Sequence, residues 1–434
     1  FGEIGNEAVG DYMFESLINQ VERDDVHWVD SNQENANKLP MFNTPNLVEP
    51  ILTWERIRTI DAGLDLGFLN NELSVGFDWY QRENTDMLAP SQVLPQVLGT
   101  DAPMANAGTL RTRGWEVTLD WHHRFGEFNV YANFNLADSK TVVTKWESKA
   151  KLLNQNYSGK TYGDIWGFET DRYFEESDFT GQNADGTWNY ANGIASQKGL
   201  EQGSFHYGPG DIKFKDLDGN GVIDGGEGTA DKHGDLKVIG NFLPRYEYSF
   251  HLGGAWRGFD LDLFFQGVGK RHVWTVSSMN FPLMREADLA IYDHQLSYNR
   301  VIYKNGLKNV ERYEVNQANK YPRLFPGNDP QGNISVIDPG TNNYYPQSRY
   351  LTDMSYLRLK NVTLGYTLPK ELTRKAYIQK ARIYLSASNL FLLYKGNDLP
   401  VDPEINAGAG LKYGGWGRTA PITRTLSFGM QVTL

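Results

Sequence analysis

The feature that most constrains this chain is a two-residue hydrophobic period. Ile60, Ala62, Leu64, Leu66 and Phe68 share one parity, and Asp61, Gly63, Asp65 and Gly67 hold the other. After the short polar stretch "LNNE", Leu73, Val75, Phe77 and Trp79 resume against Ser74, Gly76 and Asp78. Successive side chains of a strand point to opposite faces, so this spacing predicts a hairpin with one apolar and one wet face. The construction recurs at Trp115, Val117, Leu119 and Trp121 with Phe128, Val130, Ala132, Phe134 and Leu136, and again at Tyr246 to Leu252 with Phe259 to Phe265. Strands around Val362 to Tyr366, Ile383 to Ala387 and Leu426 to Leu434, with a first one near residues 1–16, bring the total to about ten.

The connections are lopsided. Tight turns are expected near residues 69–72, 122–127 and 257–258, with a short Lys-rich, helix-compatible piece at 369–381. Between them lie long segments near 17–53, 90–110, 146–244, 269–350 and 391–419. Short and long alternate, so an up-and-down sheet would carry its turns at one end and its large loops at the other, as outer-membrane barrels do. The chain has 44 Gly, 24 Tyr, 22 Phe and 11 Trp, yet its mean hydropathy is polar and no run is apolar for the roughly 20 residues of a spanning helix. A membrane form would therefore be a barrel. A soluble β-sandwich also alternates. Against it, Phe68, Trp121, Phe128, Trp256 and Phe259 lie on the apolar parity beside tight turns, while Trp79 and Trp115 lie toward the loop ends. Rings at both ends of an apolar band suit the two membrane interfaces. The opposite parity holds Asp61, Asp65, Asp78, Glu116, Asp120, Asp260, Asp262 and Gln266, which want water. That favours part of a wide, water-lined barrel, since narrow ones are filled by their own side chains.

Cysteine is absent, which excludes disulfides and thiolate metal sites. A formal charge of −11 argues against nucleic acid held through phosphates. No G-x-S-x-G elbow, H-E-x-x-H helix or phosphate loop is present, so no enzyme is expected. His122 and His123 are expected in a tight turn, and Glu175 and Glu176 as surface charge.

One polar stretch stands out. In "KDLDGNGVIDGGEG", residues 215–228, the ligand slots of a calcium loop are filled by Asp216, Asp218, Asn220, the Val222 carbonyl, Asp224 and Glu227. Gly221 takes the sharp-turn position and Ile223 the apolar one. Hard oxygen donors suit calcium. The strand-like Ile212 and Phe214 precede the loop and no amphipathic helix follows, so the expected role is a structural staple. A turn without an ion would use the same residue types. Tyr162, Trp166, Phe168, Tyr173, Trp188 and Tyr190 are candidates to stack on sugar rings or peptide side chains, or else to pack the long loop against itself.

"LTWERIRTIDAGLDLGFLNNELSVGFDWYQRENTDML", "NAGTLRTRGWEVTLDWHHRFGEFNVYANFNLADSK", "GDIKFKDLDGNGVIDGGE", "SYLRLKNVTLGYTLP", "ASNLFLL", "DPEI" and "TRTLSFGMQVTL" together resemble the barrel of SusC/RagA-like TonB-dependent transporters of Bacteroidetes outer membranes. The resemblance implies an all-β, transmembrane antiparallel β-barrel, with residues 1–434 as about ten carboxy-terminal strands of a barrel of about 22. Turns would be periplasmic and large loops extracellular, with the plug and first strands outside this chain. It further implies active import of an oligosaccharide, driven by TonB through that plug, with a SusD-like surface lipoprotein as lid and outer-membrane lipid around the barrel. A dimer of transporter–lipoprotein pairs is compatible with it. The alternatives are a RagA-like peptide importer and, from another class, a secreted calcium-stapled β-sandwich that binds glycan.

Overall fold

The computed structural model describes residues 2–6, 15–16, 18, 20–21, 41–42, 45, 47–49, 51–90, 102–203, 205–275, 279–282, 291–304, 310–324, 327–328, 334–335, 342–404 and 422–434. Ten strands form one sheet in chain order: β1 (Gly2–Asn6), β2 (Glu55–Phe68), β3 (Leu73–Pro90), β4 (Met104–Phe125), β5 (Phe128–Lys145), β6 (Arg245–Trp256), β7 (Phe259–Lys270), β8 (Tyr356–Thr367), β9 (Lys380–Lys395) and β10 (Thr425–Thr433). Every hydrogen-bonded neighbour is the next strand along the chain, the order of an up-and-down meander. Residues 7–14 of the expected first strand lie outside the described residues.

The apolar parity faces outward. Leu64 is 56% exposed, Leu385 59% and Phe428 73%, although each sits in the middle of a regular ladder. In water such a face would be an aggregation surface; in hydrocarbon it is the solvated one. The register also aligns the rings expected beside the turns. Trp256 pairs with both Phe128 and Phe259, and Phe259 pairs with Tyr366, so four neighbouring strands carry aromatics in one row. Arg257 lies over the Trp256 ring at 5.3 Å and pairs with Glu127 at 2.5 Å, a cationic and polar edge to that row.

The turns are as short as the pattern requires. Arg257 and Gly258 both have positive φ, 47° and 89°, the two-residue hairpin turn whose twist matches its strands. Two boundaries differ from expectation. His122 and His123 lie inside β4, whose turn is only residues 126–127, and His123 Nδ1 sits 2.7 Å from Glu72 of the neighbouring turn. His122 continues the wet parity and His123, stacked on Trp121 at 6.3 Å, the other one, so both rings extend the strand. β4 also begins at Met104, inside a stretch expected to be loop. There Arg111 and Arg113 meet Glu83 and Gln81 across the sheet at 2.6 and 2.8 Å, so cross-strand polar pairs replace hydrophobic alternation. The Lys-rich connection contains a short helix, Lys370–Thr373. Among the described residues no helix is long and apolar enough to cross a membrane.

Tyrosines cover glycines: Tyr131 faces Gly253 and Tyr384 faces Gly429 on the polar parity, and Tyr248 faces Gly267 on the apolar one, each directly across a ladder. A Cβ at Gly253 would lie 2.1 Å from the Tyr131 ring. The ring shields a backbone that the glycine leaves bare. Tyr131 and His251 both hydrogen-bond Asp262, and Arg382 Nε donates to Asp260 at 2.9 Å.

Packing separates two compact units. The first gathers Phe1–Ala62, Trp79–Gly114 and Lys140–Tyr162. Within it Asn106 bonds both backbone groups of Thr53 at 2.8 Å, and the Glu55 carboxylate accepts the Leu88 N–H at 2.9 Å. The second comprises Gly63–Asp78, Trp115–Ser139 and Gly163–Leu434. Its hydrophobic core is not in the sheet but in the long connections after β5 and β7, where Phe168, Phe174, Tyr207, Phe214, Phe281 and Tyr344 are buried together.

Gly253→Val should displace the Tyr131 ring and destabilise the fold by roughly 1–3 kcal/mol. The full-length protein would then lose its heat-resistant gel mobility at a lower temperature; an unchanged midpoint would remove the steric role assigned to this pair.

Candidate functional site

The long connection after β5 folds as two short ladders around one charge. The strand Asp164–Phe168 pairs with Leu236–Asn241, and Thr170–Tyr173 pairs with Ile212–Phe214. Glu169 lies between the first members of the two pairs. It accepts Lys215 Nζ at 2.5 Å and also Lys237 Nζ. Those lysines begin and end the acidic loop, so one carboxylate ties both of its ends. The bond from Lys215, then that from Lys237, holds the Glu169 carboxyl below the usual carboxylate range. The entry strand is anchored from beneath: buried Gln197 donates to the Ile212 carbonyl at 3.0 Å and accepts the Phe214 N–H at 2.6 Å.

Within the loop the side chains curl onto their own backbone. Asp216 accepts the N–H groups of Gly219 and Gly221 at 2.7 and 2.9 Å, and Asn220 accepts that of Val222 at 2.7 Å. Gly219 and Gly221 have φ of 75° and 84°, which only glycine adopts without strain. Ile223 is fully buried in the loop core, and its N–H bonds the Ser196 carbonyl at 2.8 Å.

The carboxylates of Asp216, Asp218 and Asp235 converge, with one oxygen of each within 4.8 Å of the others. Asp235 is fully buried and takes the N–H of Leu217 and of Asp224 at 2.6 and 3.0 Å. Sequence spacing did not single it out, because it lies beyond the twelve-residue template and is returned by the turn at Gly234. Glu227 is occupied elsewhere, 2.6 Å from Lys232, whose ammonium it holds above its usual range. Asp224 turns to the Gly226 N–H at 2.7 Å. The donor set that comes together is thus all carboxylate oxygen, which fits a hard divalent cation.

The aromatic candidates are placed differently. Tyr173 is fully buried, and its hydroxyl donates to the Asn319 carbonyl at 2.9 Å, so it has no face to offer a ligand. Trp188 packs against Phe179 at 5.0 Å and Tyr313 at 5.8 Å, and Tyr190 against Phe174 and Phe179. Trp166 lies 5.4 Å from His233, and Tyr162 is half-buried. Burial of such large rings is what lets these connections hold a core without disulfides. That core also contains an ion pair: Arg323 meets Asp211 at 2.7 Å, and Asn343 donates to the same carboxylate at 2.8 Å. In the "DPEI" stretch, Asp402 and Glu404 clamp Arg358 of β8 at 2.5 and 2.6 Å, and Lys360 joins Glu404 at 2.7 Å. The stretch docks on the sheet by charge.

Ile223→Ala should cost about 2–5 kcal/mol locally, the usual penalty of a buried aliphatic truncation. Limited proteolysis of the full-length protein should then cut within residues 215–235 faster than in wild type, whereas equal cutting rates would show that Ile223 does not anchor the loop.

Comparison with known proteins places these features. No protein-family model matches the chain. It is 26% identical over its whole length to TonB-dependent receptor P3 of Formosa agariphila, covering 38% of that protein. It is 25% identical over 84% of its length to TonB-dependent receptor SusC of Bacteroides thetaiotaomicron, covering 31% of it. The solved RagAB peptide transporter matches 99% of the chain with a TM-score of 0.61 at 21% identity, over 40% of the transporter chain. The chain therefore spans about two-fifths of the length of the relatives it matches. Relatives and fold agree: over its whole length this chain is similar to part of the barrel of SusC/RagA-like TonB-dependent transporters of Bacteroidetes outer membranes.

Proposed function

We propose that the protein containing this chain imports oligosaccharides across the outer membrane, energised by TonB and served by a SusD-like lipoprotein at its mouth. The observation that carries the import reading is the division of labour in the fold: a sheet with its apolar face outward and, on its long connections, a packed core that the sheet itself does not need. In this reading those connections face the cell exterior and the short turns the periplasm, and the plug and remaining strands lie in sequence beyond these 434 residues. For the cargo, the support is an amide-rich turn. Gln182, Asn183 and Asn189 are exposed beside the half-buried Trp188, a pairing of amides with an indole that suits hydroxyl-bearing rings. A peptide cargo is the second reading, favoured by the likeness of fold to the RagAB peptide transporter.

Purification of the full-length protein from its native membrane in detergent, followed by mass spectrometry of what accompanies it, should recover a lipoprotein and a bound oligosaccharide. Recovery of peptides would transfer the assignment to the second reading, and a detergent-indifferent monomer would end both.

Asp216, Asp218 and Asp235 are further proposed to hold calcium, with Asn220 and the Val222 carbonyl beside them; the ion would neutralise crowded carboxylates and staple the loop. Extracellular sites of this kind work at about millimolar calcium. Calcium should slow cleavage within 215–235 in wild type and in Glu227→Gln, but not in Asp235→Asn. Equal calcium dependence in all three would exclude the assigned ligand set.

A further inference from the structure

The outward parity of β3, β4 and β5 changes character toward the end of the sheet that carries the long connections. On β3 it runs Leu73, Val75, Phe77 and Trp79, then Gln81 and Glu83. On β4 it runs back from Trp121, Leu119, Val117 and Trp115 to Arg113 and Arg111, and on β5 from Phe134 and Leu136 to Asp138 and Lys140. An apolar run that ends at tryptophan and gives way at once to charge matches the passage from hydrocarbon to headgroups.

Two of these cations face each other. The Thr112 and Thr141 hydroxyls meet at 2.8 Å and Thr144 donates to the Thr109 carbonyl at 3.2 Å, a register that sets Arg113 directly opposite Lys140. Both side chains are exposed. Like charges directly across a ladder repel. The carboxylates of the same parity on β3 and β5 are already taken, Glu83 by Arg111 at 2.6 Å and Asp138 by Arg245. Arg113 Nε donates to the neutral Gln81 amide at 2.8 Å, and among the described residues neither Arg113 nor Lys140 meets a carboxylate. Contact with water does not call for such an apposition, since one long cationic side chain in this row would reach water equally well.

We propose that Arg113 and Lys140 together bind the phosphate of an outer-leaflet lipid on the outside of the sheet, its acyl chains directed past the exposed Trp79 into the apolar band. Gln81 holds the guanidinium through Nε, so the two Nη groups are the donors left for a ligand. A planar fork and an ammonium match the several oxygens of one phosphate, and the anion removes the repulsion between them. The selection rule is charge: an uncharged headgroup would leave the two cations opposed. The inference rests on the placement of the apolar face in lipid and goes beyond the import reading, since it is independent of the cargo.

The test is native mass spectrometry of the full-length transporter with its lipoprotein, delipidated in detergent and titrated with monophosphoryl lipid A or with the same lipid dephosphorylated. The expected result is binding of the phosphorylated lipid that weakens about ten- to thirtyfold in the double variant Arg113→Gln, Lys140→Gln, the loss of two cations at a headgroup surface. Lys140→Arg, which keeps the charge, should bind as wild type does. Arg82→Gln, on the opposite parity of β3, should also leave binding unchanged. Should the double variant lose its heat-resistant gel mobility, Lys140→Gln alone carries the test, with a loss of about three- to sixfold expected. Equal binding in wild type and these variants overturns the site. Equal weakening in Arg82→Gln overturns it as well, by showing a response to total charge, and equal binding of the dephosphorylated lipid overturns the phosphate. Loss of the lipoprotein from the double variant with lipid binding unchanged would transfer the pair to a protein partner and overturn the lipid. The oligosaccharide reading stands or falls separately, on the cargo recovered from the native membrane.

Discussion

The structure depends on a sheet that presents its apolar face to its surroundings. In hydrocarbon an unpaired backbone group finds no partner, so the ladder must satisfy nearly every N–H and C=O itself. The registers of β5 to β10 do this strand by strand, with irregularities only where β7, β8 and β9 meet. The outward face then needs no packing partner, and the row Phe128, Trp256, Phe259 and Tyr366 marks where that face ends. Aromatic rings fit this boundary because one edge tolerates water and the other does not.

A sheet solvated in this way contributes little conventional core. The burial that holds the long connections comes instead from their own side chains, and it is dominated by Phe and Tyr contributed from well-separated stretches of chain. Large rings bury much area per residue, which suits segments with few regular elements. Polar groups drawn into the core are bonded at Gln197 and the Asp211–Arg323 pair, while the Tyr190, Tyr321 and Tyr344 hydroxyls have no partner among the described residues. The same distinction separates the aromatics. Tyr173 is construction, whereas the exposed amides beside the half-buried Trp188 are open to a ligand.

Charge organises the polar side of the sheet and the joints of the loops. Arg245 with Asp138 ties neighbouring strands, Arg382 with Asp260 reaches from β9 to β7 across Gly365 of β8, and Arg358 with Asp402 and Glu404 docks a following segment on the sheet. Glu169 does the same for the acidic loop, closing it at both ends. Bidentate arginine pairs fix orientation as well as distance, and they replace hydrophobic contact on a face that must stay wet.

The strands, their faces, the alternation of short and long connections and the resemblance to transporter barrels were all legible in the sequence, because a two-residue period reports local geometry and needs no distant partner. The limits of that legibility are specific. β4 starts early at Met104 because Arg111 and Arg113 are paired across the sheet, and cross-strand partners leave no period in the sequence. The acidic loop was visible as Asp216, Asp218 and Asn220, but the third converging carboxylate, Asp235, arrives through a turn, while Glu227 is diverted to Lys232. A cavity lined by Asn280, Tyr321, Asp353 and Asp398 draws on four separated stretches and has no sequence signature. Spacing along a strand determined which face each residue occupies; only the folded connections decided which polar atoms meet and which are left waiting for a partner, because those pairings close over long stretches of chain.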